Sequence, residues 1–317
     1  MNQSALLPLG LEASEAYTLL MIMTVGGGLI LAGVMAFAAL AIFGNDRVRT
    51  PLSREGLIII GGLVFPVVVL TALLATGLSV MSGRADSGSA GEISIRVSIT
   101  GKMWWWRIVY EFPDGTRFET ANELRLPVGE PVELALTTAD VIHSFWAPAL
   151  AGKLDMIPGR INTMTVTATE EGISRGQCAE YCGGAHAFMA FHVVSSSAEE
   201  FAAWSSKESG PRVPPSQRLD EETLAAIRAG AELFKVQGCG ACHTVRGGGS
   251  FGTIGPDLTH VGGRLSLAAG TLPNDAEAFV RWIANTQHIK PGNAMPQYDI
   301  LSSGELAELA AYLESLK

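Results

Sequence analysis

Charge is nearly missing from the first quarter of this 317-residue chain. Up to residue 81 the charged side chains are Glu12, Glu15, Asp46, Arg47, Arg49, Arg54 and Glu55 alone. Basic residues are scarce throughout, 22 against 31 acidic ones, for a net charge of −9. Nucleic-acid binding calls for a basic face against the phosphate backbone, so that class is set aside. The acidic balance suits a positively charged partner instead. Cysteine is also rare. Four are too few for a disulfide scaffold, and their spacing needs another explanation. Charged residues make up only 17% of the chain and apolar residues 48%, which argues against disorder outside short linkers. The length suggests two or three folding units.

Residues 17–43 and 57–81 contain no charge. Each is long enough to cross a bilayer as a helix with some tilt. The alternative, a pair of buried core helices, fits poorly with such length. A signal peptide fits poorly with the first run, which is too long and has no basic residue ahead of it. The loop between the runs has three arginines and the N-terminal tail has none, so the loop is expected to be cytoplasmic. Both termini, and everything after Met81, then lie on the extracytoplasmic (periplasmic) side of the cell membrane. Gly26-Gly27-Gly28 and Gly61-Gly62 would let another helix approach closely. Pro66 should kink the second span.

From Glu92 the period changes. Ile93, Ile95, Val97 and Ile99 alternate with polar residues, as in a half-buried strand. Residues 104–112, 116–120, 132–138 and 160–168 read as further strands, with Pro113-Asp114-Gly115 as a turn. Many short strands suggest an all-β sandwich. Three successive tryptophans, Trp104, Trp105 and Trp106, cannot all point inward from a strand. At least one is expected to be exposed or at the bilayer interface. The run C-A-E-Y-C-G-G-A-H-A-F-M from Cys178 to Met189 gathers two thiols, an imidazole and a thioether, and His143 lies upstream in V-I-H. Such soft donors with histidine form a copper electron-transfer set. Two cysteines can bridge two copper ions, each capped by one of His143 and His186, with Met189 and the Glu180 carbonyl as weak outer ligands. A Cys178–Cys182 disulfide or a zinc site are the alternatives. The first leaves the His/Met spacing unexplained, and zinc rarely takes methionine.

These residues resemble subunit II of the haem–copper cytochrome oxidases, whose CuA motif is V-x-H … C-x-E-x-C-x-x-x-H-x-x-M. Every position of the motif is filled, and the resemblance covers roughly residues 15–205. It implies a cupredoxin fold and a second role for Glu180, with a side-chain oxygen on a magnesium ion shared with subunit I. It also implies that G-K-L-D-M-I-P-G-R from Gly152 to Arg160 faces subunit I; read without the family, that segment is a turn at Pro158-Gly159. Trp104 is implied as the residue where electrons enter CuA, with an interfacial aromatic belt as the alternative reading of the tryptophans. Met103 and Trp105 depart from the family pattern around it. Glu55 lies too far ahead of Pro66 to match the family's proton-pathway Glu, so that role is not carried over.

Residues 199–207 suggest a short helix, followed by a Pro/Gly/Ser linker up to Ser216. Beyond it Leu224, Ile227, Leu233 and Phe234 fall at helix spacing. Cys239, Cys242 and His243 form C-x-x-C-H, the c-type haem attachment motif, with His243 as iron ligand. Met295 is the expected second axial ligand, with His260 and His288 as alternatives. The segment G-P-D-L from Gly255 resembles the cytochrome c loop whose proline carbonyl holds the proximal histidine. Ser302 to Glu305 reads as a capping box opening a last helix at 305–316. In class I cytochromes c, which this domain resembles, that helix crosses the first one, here near Gly230 and Phe234.

The expected architecture is therefore multidomain: a tail (1–16), a transmembrane helical hairpin (17–83), an all-β cupredoxin sandwich (84–205), a linker (206–219) and an all-α cytochrome c domain (220–317). The resemblance implies a subunit of a proton-pumping cytochrome c oxidase. Its haem c would take electrons from a cytochrome c or a membrane cytochrome and pass them through CuA to subunit I, which holds haem a, haem a3 and CuB, with subunit III alongside. No site for reducing oxygen is evident in the chain itself. The alternatives are a CuA-containing nitric oxide reductase subunit and a free-standing anchored electron carrier.

Overall fold

The computed structural model describes residues 2–52, 54–87, 93, 95–215 and 219–317, with backbone alone for 80–87. Glu92, where the period changes, and linker residues 216–218 lie outside the described residues. The chain divides into one compact unit of Glu15–Glu92 and another of Met1–Ser14 with Ile93–Lys317.

The first unit holds two helices long and apolar enough to cross a membrane. Helix α1 is Leu11–Phe43, so the helix begins inside the expected tail. A short α2, Asp46–Leu52, precedes the second apolar run. That run starts as α3, Glu55–Ile59, widens to a π-helical turn at Ile60–Val64, and continues as α4, Phe65–Ser87. The widened turn lies just ahead of Pro66, which has no N–H to donate and whose ring crowds the preceding turn. A methyl group added at Gly26, Gly27, Gly28, Gly61 or Gly62 would meet open space. The close approach these glycines permit is therefore not used among the described residues.

The second unit opens with residues 2–10 laid along a sandwich. Bridges join Asn2 to Ser174 and Gly10 to Ala168. Gly10 is required there, because a Cβ would lie 2.3 Å from the Leu150 carbonyl oxygen. The tail is thus paired with the sandwich.

Among the described residues ten strands form the sandwich: β1 Ile95–Lys102, β2 Trp105–Glu111, β3 Arg117–Ala121, β4 Glu123–Pro127, β5 Pro131–Thr138, β6 His143–Trp146, β7 Leu154–Met156, β8 Asn162–Thr167, β9 Gly172–Cys178 and β10 Ala190–Ser196. One sheet runs β3-β2-β1-β5-β8 and the other β4-β10-β9-β6-β7. The alternation in β1 works as expected, with Ile95, Val97 and Ile99 buried and Arg96 outside, paired with Glu133 at 2.6 Å. Trp106 meets Phe145 and Phe191 edge-on in the core, a favoured aromatic geometry. Trp104 belongs to the turn before β2 rather than to the strand. None of the three tryptophans is exposed: Trp105 is half-buried, with Lys102 and Arg107 cations 5.2 and 5.5 Å from its ring.

Helix α5, Ala198–Ser209, is capped by Ser197 and runs two residues further than expected. The start of the expected linker is hydrogen-bonded to the last region. Arg212 donates its N–H to the Arg246 carbonyl at 2.9 Å, and Arg246 Nη2 donates to the Glu208 carbonyl at 2.7 Å. The last region holds α6 Glu221–Val236, α7 Ala276–Ala284, α8 Thr286–Ile289 and α9 Ser303–Ser315. It also contains two small hairpins, β11 Thr244–Val245 with β12 Ser250–Phe251 and β13 Ser266–Leu267 with β14 Leu272–Pro273. The capping box at Ser302 and Glu305 is formed. Helices α6 and α9 cross where a Cβ on Gly230 would lie 1.9 Å from the Glu308 carbonyl oxygen, and Phe234 meets Tyr312 edge-on at 5.5 Å.

Candidate electron-transfer centres

Strand register delivers the soft donors to one place. Pairing of β6 with β9 sets Phe145 opposite Cys178, which brings His143 beside that cysteine. The Cys178 N–H donates to the Met189 carbonyl at 2.9 Å, closing the loop between β9 and β10. His143, Cys178, Cys182 and Met189 are buried, and His186 and Glu180 are half-buried. Donor atoms of His143, Cys178 and Cys182 all lie within 4.8 Å of one another. His143 Nδ1 is 3.7 Å from Cys178 Sγ, and His186 Nδ1 is 3.5 Å from Cys182 Sγ. Met189 Sδ lies 3.8 Å from Cys182 Sγ, and the Glu180 carbonyl oxygen 3.1 Å from Cys178 Sγ. All six residues expected there are brought together, and the two cysteines are not bonded to each other in this structure.

The two thiols titrate as a pair. A hydrogen bond from Cys182, with further help from His143, holds Cys178 far below the ordinary thiol range, while Cys182 is pushed up. Metal binding at such a pair requires deprotonated sulfur, so it would release protons. Sequence reasoning missed Asp140. Its carboxylate lies 2.7 Å from His143 Nε2, and the contact leaves Nδ1 facing Cys178. Burial alone would lower the His143 pKa, but hydrogen bonds to Cys178 and Asp140 raise it overall. The signal was present as an Asp three residues before the histidine. Gly101 completes the cradle, since a Cβ there would sit 2.7 Å from the imidazole.

The second centre is a cleft with a cavity volume of about 210 Å³. Cys239, Cys242 and His243 line it together with Met295, Phe234, Trp282 and Tyr298. A 3₁₀ turn at Cys239–Ala241 sets the cysteines. His243 Nδ1 lies 2.8 Å from the Pro256 carbonyl oxygen, the restraint expected from G-P-D-L. That bond commits Nδ1 as donor and leaves Nε2 as the basic nitrogen. Burial depresses the His243 pKa, favouring the neutral ring that can ligate iron. Neither alternative to Met295 lines the cleft. His260 is buried with Nε2 3.2 Å from the Gly210 carbonyl oxygen, and His288 is exposed.

Trp104 joins the two places. It is 7% exposed, lines the cleft, and donates Nε1–H to the Cys182 carbonyl at 2.9 Å. Around it the β13–β14 hairpin is fastened to the sandwich. The Ala190 N–H donates to the Ala269 carbonyl at 3.0 Å, Arg175 Nη1 to the Gly270 carbonyl at 2.9 Å, and the Leu265 N–H to Glu123 Oε2 at 2.8 Å.

The fold and these side chains define a class: two apolar helices, a cupredoxin-like sandwich with a soft-ligand cluster, and a cytochrome c domain. A family model described as the periplasmic domain of cytochrome c oxidase subunit II matches residues 110–196, and a cytochrome c family model matches residues 227–317. The chain is 34% identical to cytochrome c oxidase subunit 2 of Alkalihalophilus pseudofirmus, over 100% of this chain and 91% of that one. It is also 34% identical to the Bacillus subtilis subunit 2, over 80% and 70%. The solved periplasmic domain of subunit II from Bradyrhizobium japonicum is 34% identical, covering 37% of this chain and 95% of that one at a TM-score of 0.34. This chain belongs to the cytochrome c oxidase subunit II family.

Proposed function

We propose that the chain relays electrons within a terminal oxidase, from a cytochrome donor to the oxygen-reducing subunit I. His143, Cys178, the Glu180 carbonyl, Cys182, His186 and Met189 would hold a binuclear CuA centre. Cys239 and Cys242 would carry haem c covalently, with His243 and Met295 as axial ligands. When bound, the two groups supply one-electron carriers on the extracytoplasmic side of the cell membrane. The donor set fits copper, because two thiols, two imidazoles and a thioether are soft ligands. The cleft fits haem, because its walls are apolar and its sulfur and imidazole donors belong to the attachment motif.

The protein's own work is positioning. The sandwich buries the sulfurs away from water, and Asp140 keeps His143 in one tautomer and orientation. The half-buried Glu180 side chain accepts from the Tyr181 N–H at 3.2 Å, and it would hold the magnesium ion shared with subunit I that the resemblance implies. Trp104 takes its place between cleft and cluster rather than on an open surface, so a soluble donor would reduce the cytochrome domain and not approach Trp104 itself. Subunits I and III are the proposed membrane partners of the two apolar helices.

The observation that carries this reading is the meeting of both thiols and His143 within 4.8 Å. Metal analysis and electron paramagnetic resonance of the purified complex test it. The expected result is two coppers and one c-type haem per chain, with one unpaired electron shared by the copper pair. A single-copper spectrum rejects the binuclear centre. Absence of haem a would move the chain to a nitric oxide reductase, and purification without a multi-span partner would make it a lone carrier.

A further inference from the structure

Trp104 sits in a socket closed from two sides by glycine. A Cβ on Gly183 (φ +112°), in the cysteine loop, would lie 3.0 Å from the indole. A Cβ on Gly292 (φ +79°), in the methionine loop, would lie 3.4 Å from it. Hydrogen bonds hold the residue at both ends. The indole N–H reaches the Cys182 carbonyl, and the Trp104 carbonyl accepts from Lys290 Nζ at 2.8 Å. Lys290 also donates to the Ala268 carbonyl at 2.9 Å, and it is only 3% exposed.

A buried ammonium held by carbonyls carries a desolvation penalty. Burial pushes the Lys290 pKa down to about 7. A methionine would fill similar space without that penalty, so packing alone does not account for the lysine. The loop it anchors is itself braced. Asn293 Nδ2 donates to the Lys290 carbonyl at 2.7 Å, the Met295 N–H donates to Asn293 Oδ1 at 2.8 Å, and Gln287 Nε2 donates to the Met295 carbonyl at 3.0 Å. Lys290 and Met295 therefore stand on one hydrogen-bonded loop, and Lys290 ties that loop to the residue touching the copper-type cluster.

We infer that Lys290 is a positioning residue that clamps the Trp104 main chain to the Met295 loop and so sets the contact coupling the cytochrome domain to the soft-ligand cluster. This rests on the reading that Trp104 stands on the path between the two centres. The test uses the intact detergent-purified oxidase. Electron equilibration between haem c and CuA after photoreduction is timed in wild type, Lys290→Met, Lys290→Arg and Trp104→Leu. Both reduction potentials and amide hydrogen exchange over residues 103–106 are measured alongside.

Lys290→Met is expected to keep both absorption signatures and both potentials. Equilibration should slow ~10-fold or more, within the range that small misplacements of reacting partners produce. Exchange at 103–106 should rise, and Lys290→Arg should recover part of the rate. A wild-type rate and wild-type exchange in Lys290→Met, with Trp104→Leu slow, overturns the clamp and leaves the path standing. A wild-type rate in Trp104→Leu overturns both. If Lys290→Met does not assemble, Lys290→Gln, neutral and shorter, must show the same slowing, and a wild-type rate there overturns the clamp.

Discussion

The two centres are built in opposite ways. In the sandwich the donor side chains already touch one another, thiol to imidazole and thiol to thioether, and the strands on either side fix their spacing. In the cytochrome region the donors line a cleft walled largely by apolar side chains from several separate elements. The first site is organised by the protein's own contacts. The second is organised around a cleft. The difference predicts that the sandwich tolerates loss of its metal far better than the cytochrome region tolerates loss of its haem.

The sharpest way to break that contrast is to block haem attachment. Cys239→Ser combined with Cys242→Ser should cost the cytochrome region on the order of 5 kcal/mol at ~24 cal/mol per Å³ of unfilled cavity, comparable to the whole stability of a small domain. Limited proteolysis should then cut within 220–317 while the copper resonance survives. Chelating copper is the counterpart, expected to raise hydrogen exchange around 178–189 alone; melting of the whole sandwich would erase the distinction. Met295→Ala comes next in size. Haem should stay covalently attached, while the iron loses its sulfur ligand, seen as a lowered potential and new binding of carbon monoxide. Asp140→Asn should weaken copper retention by ~10–100-fold, the usual effect of removing a group that orients a metal-bound histidine, read by competition with a chelator.

The smallest effect concerns the junction between the regions. Burial raises the Glu208 pKa, against the pull of Arg264, His260 and Arg246, with Glu123 adding to the rise. The folded state then holds the proton more tightly than the unfolded state. Ionisation costs stability as pH climbs above the ordinary carboxyl range, and below that range both states are protonated. Glu208→Gln should therefore raise the melting temperature at pH 8 and leave it unchanged near pH 3.

Much of this was legible in the residues because the chemistry is local. The cluster donors fall within Cys178 to Met189 plus one histidine, and C-x-x-C-H is contiguous. Strands were legible where burial alternates, as in β1. What stayed hidden depends on distant partners. The alternation argument placed one tryptophan in the open. It could not anticipate that Lys290 and Gly292, far along the chain, would cover Trp104, or that Lys102 and Arg107 would flank Trp105. Asp140 carries no motif of its own and acquires its role only from the imidazole beside it. The region between α5 and α6 looked like a linker by composition, yet its start is pinned by Arg246, whose reach composition does not reveal.

Asn2 and Gly10 are stitched to separate neighbours, Ser174 and Ala168, so residues 2–10 behave as trim on the sandwich. An affinity handle fused at that end would tug on β9, whose far end carries Cys178. The same handle placed after Lys317, which is exposed, would leave that strand at rest.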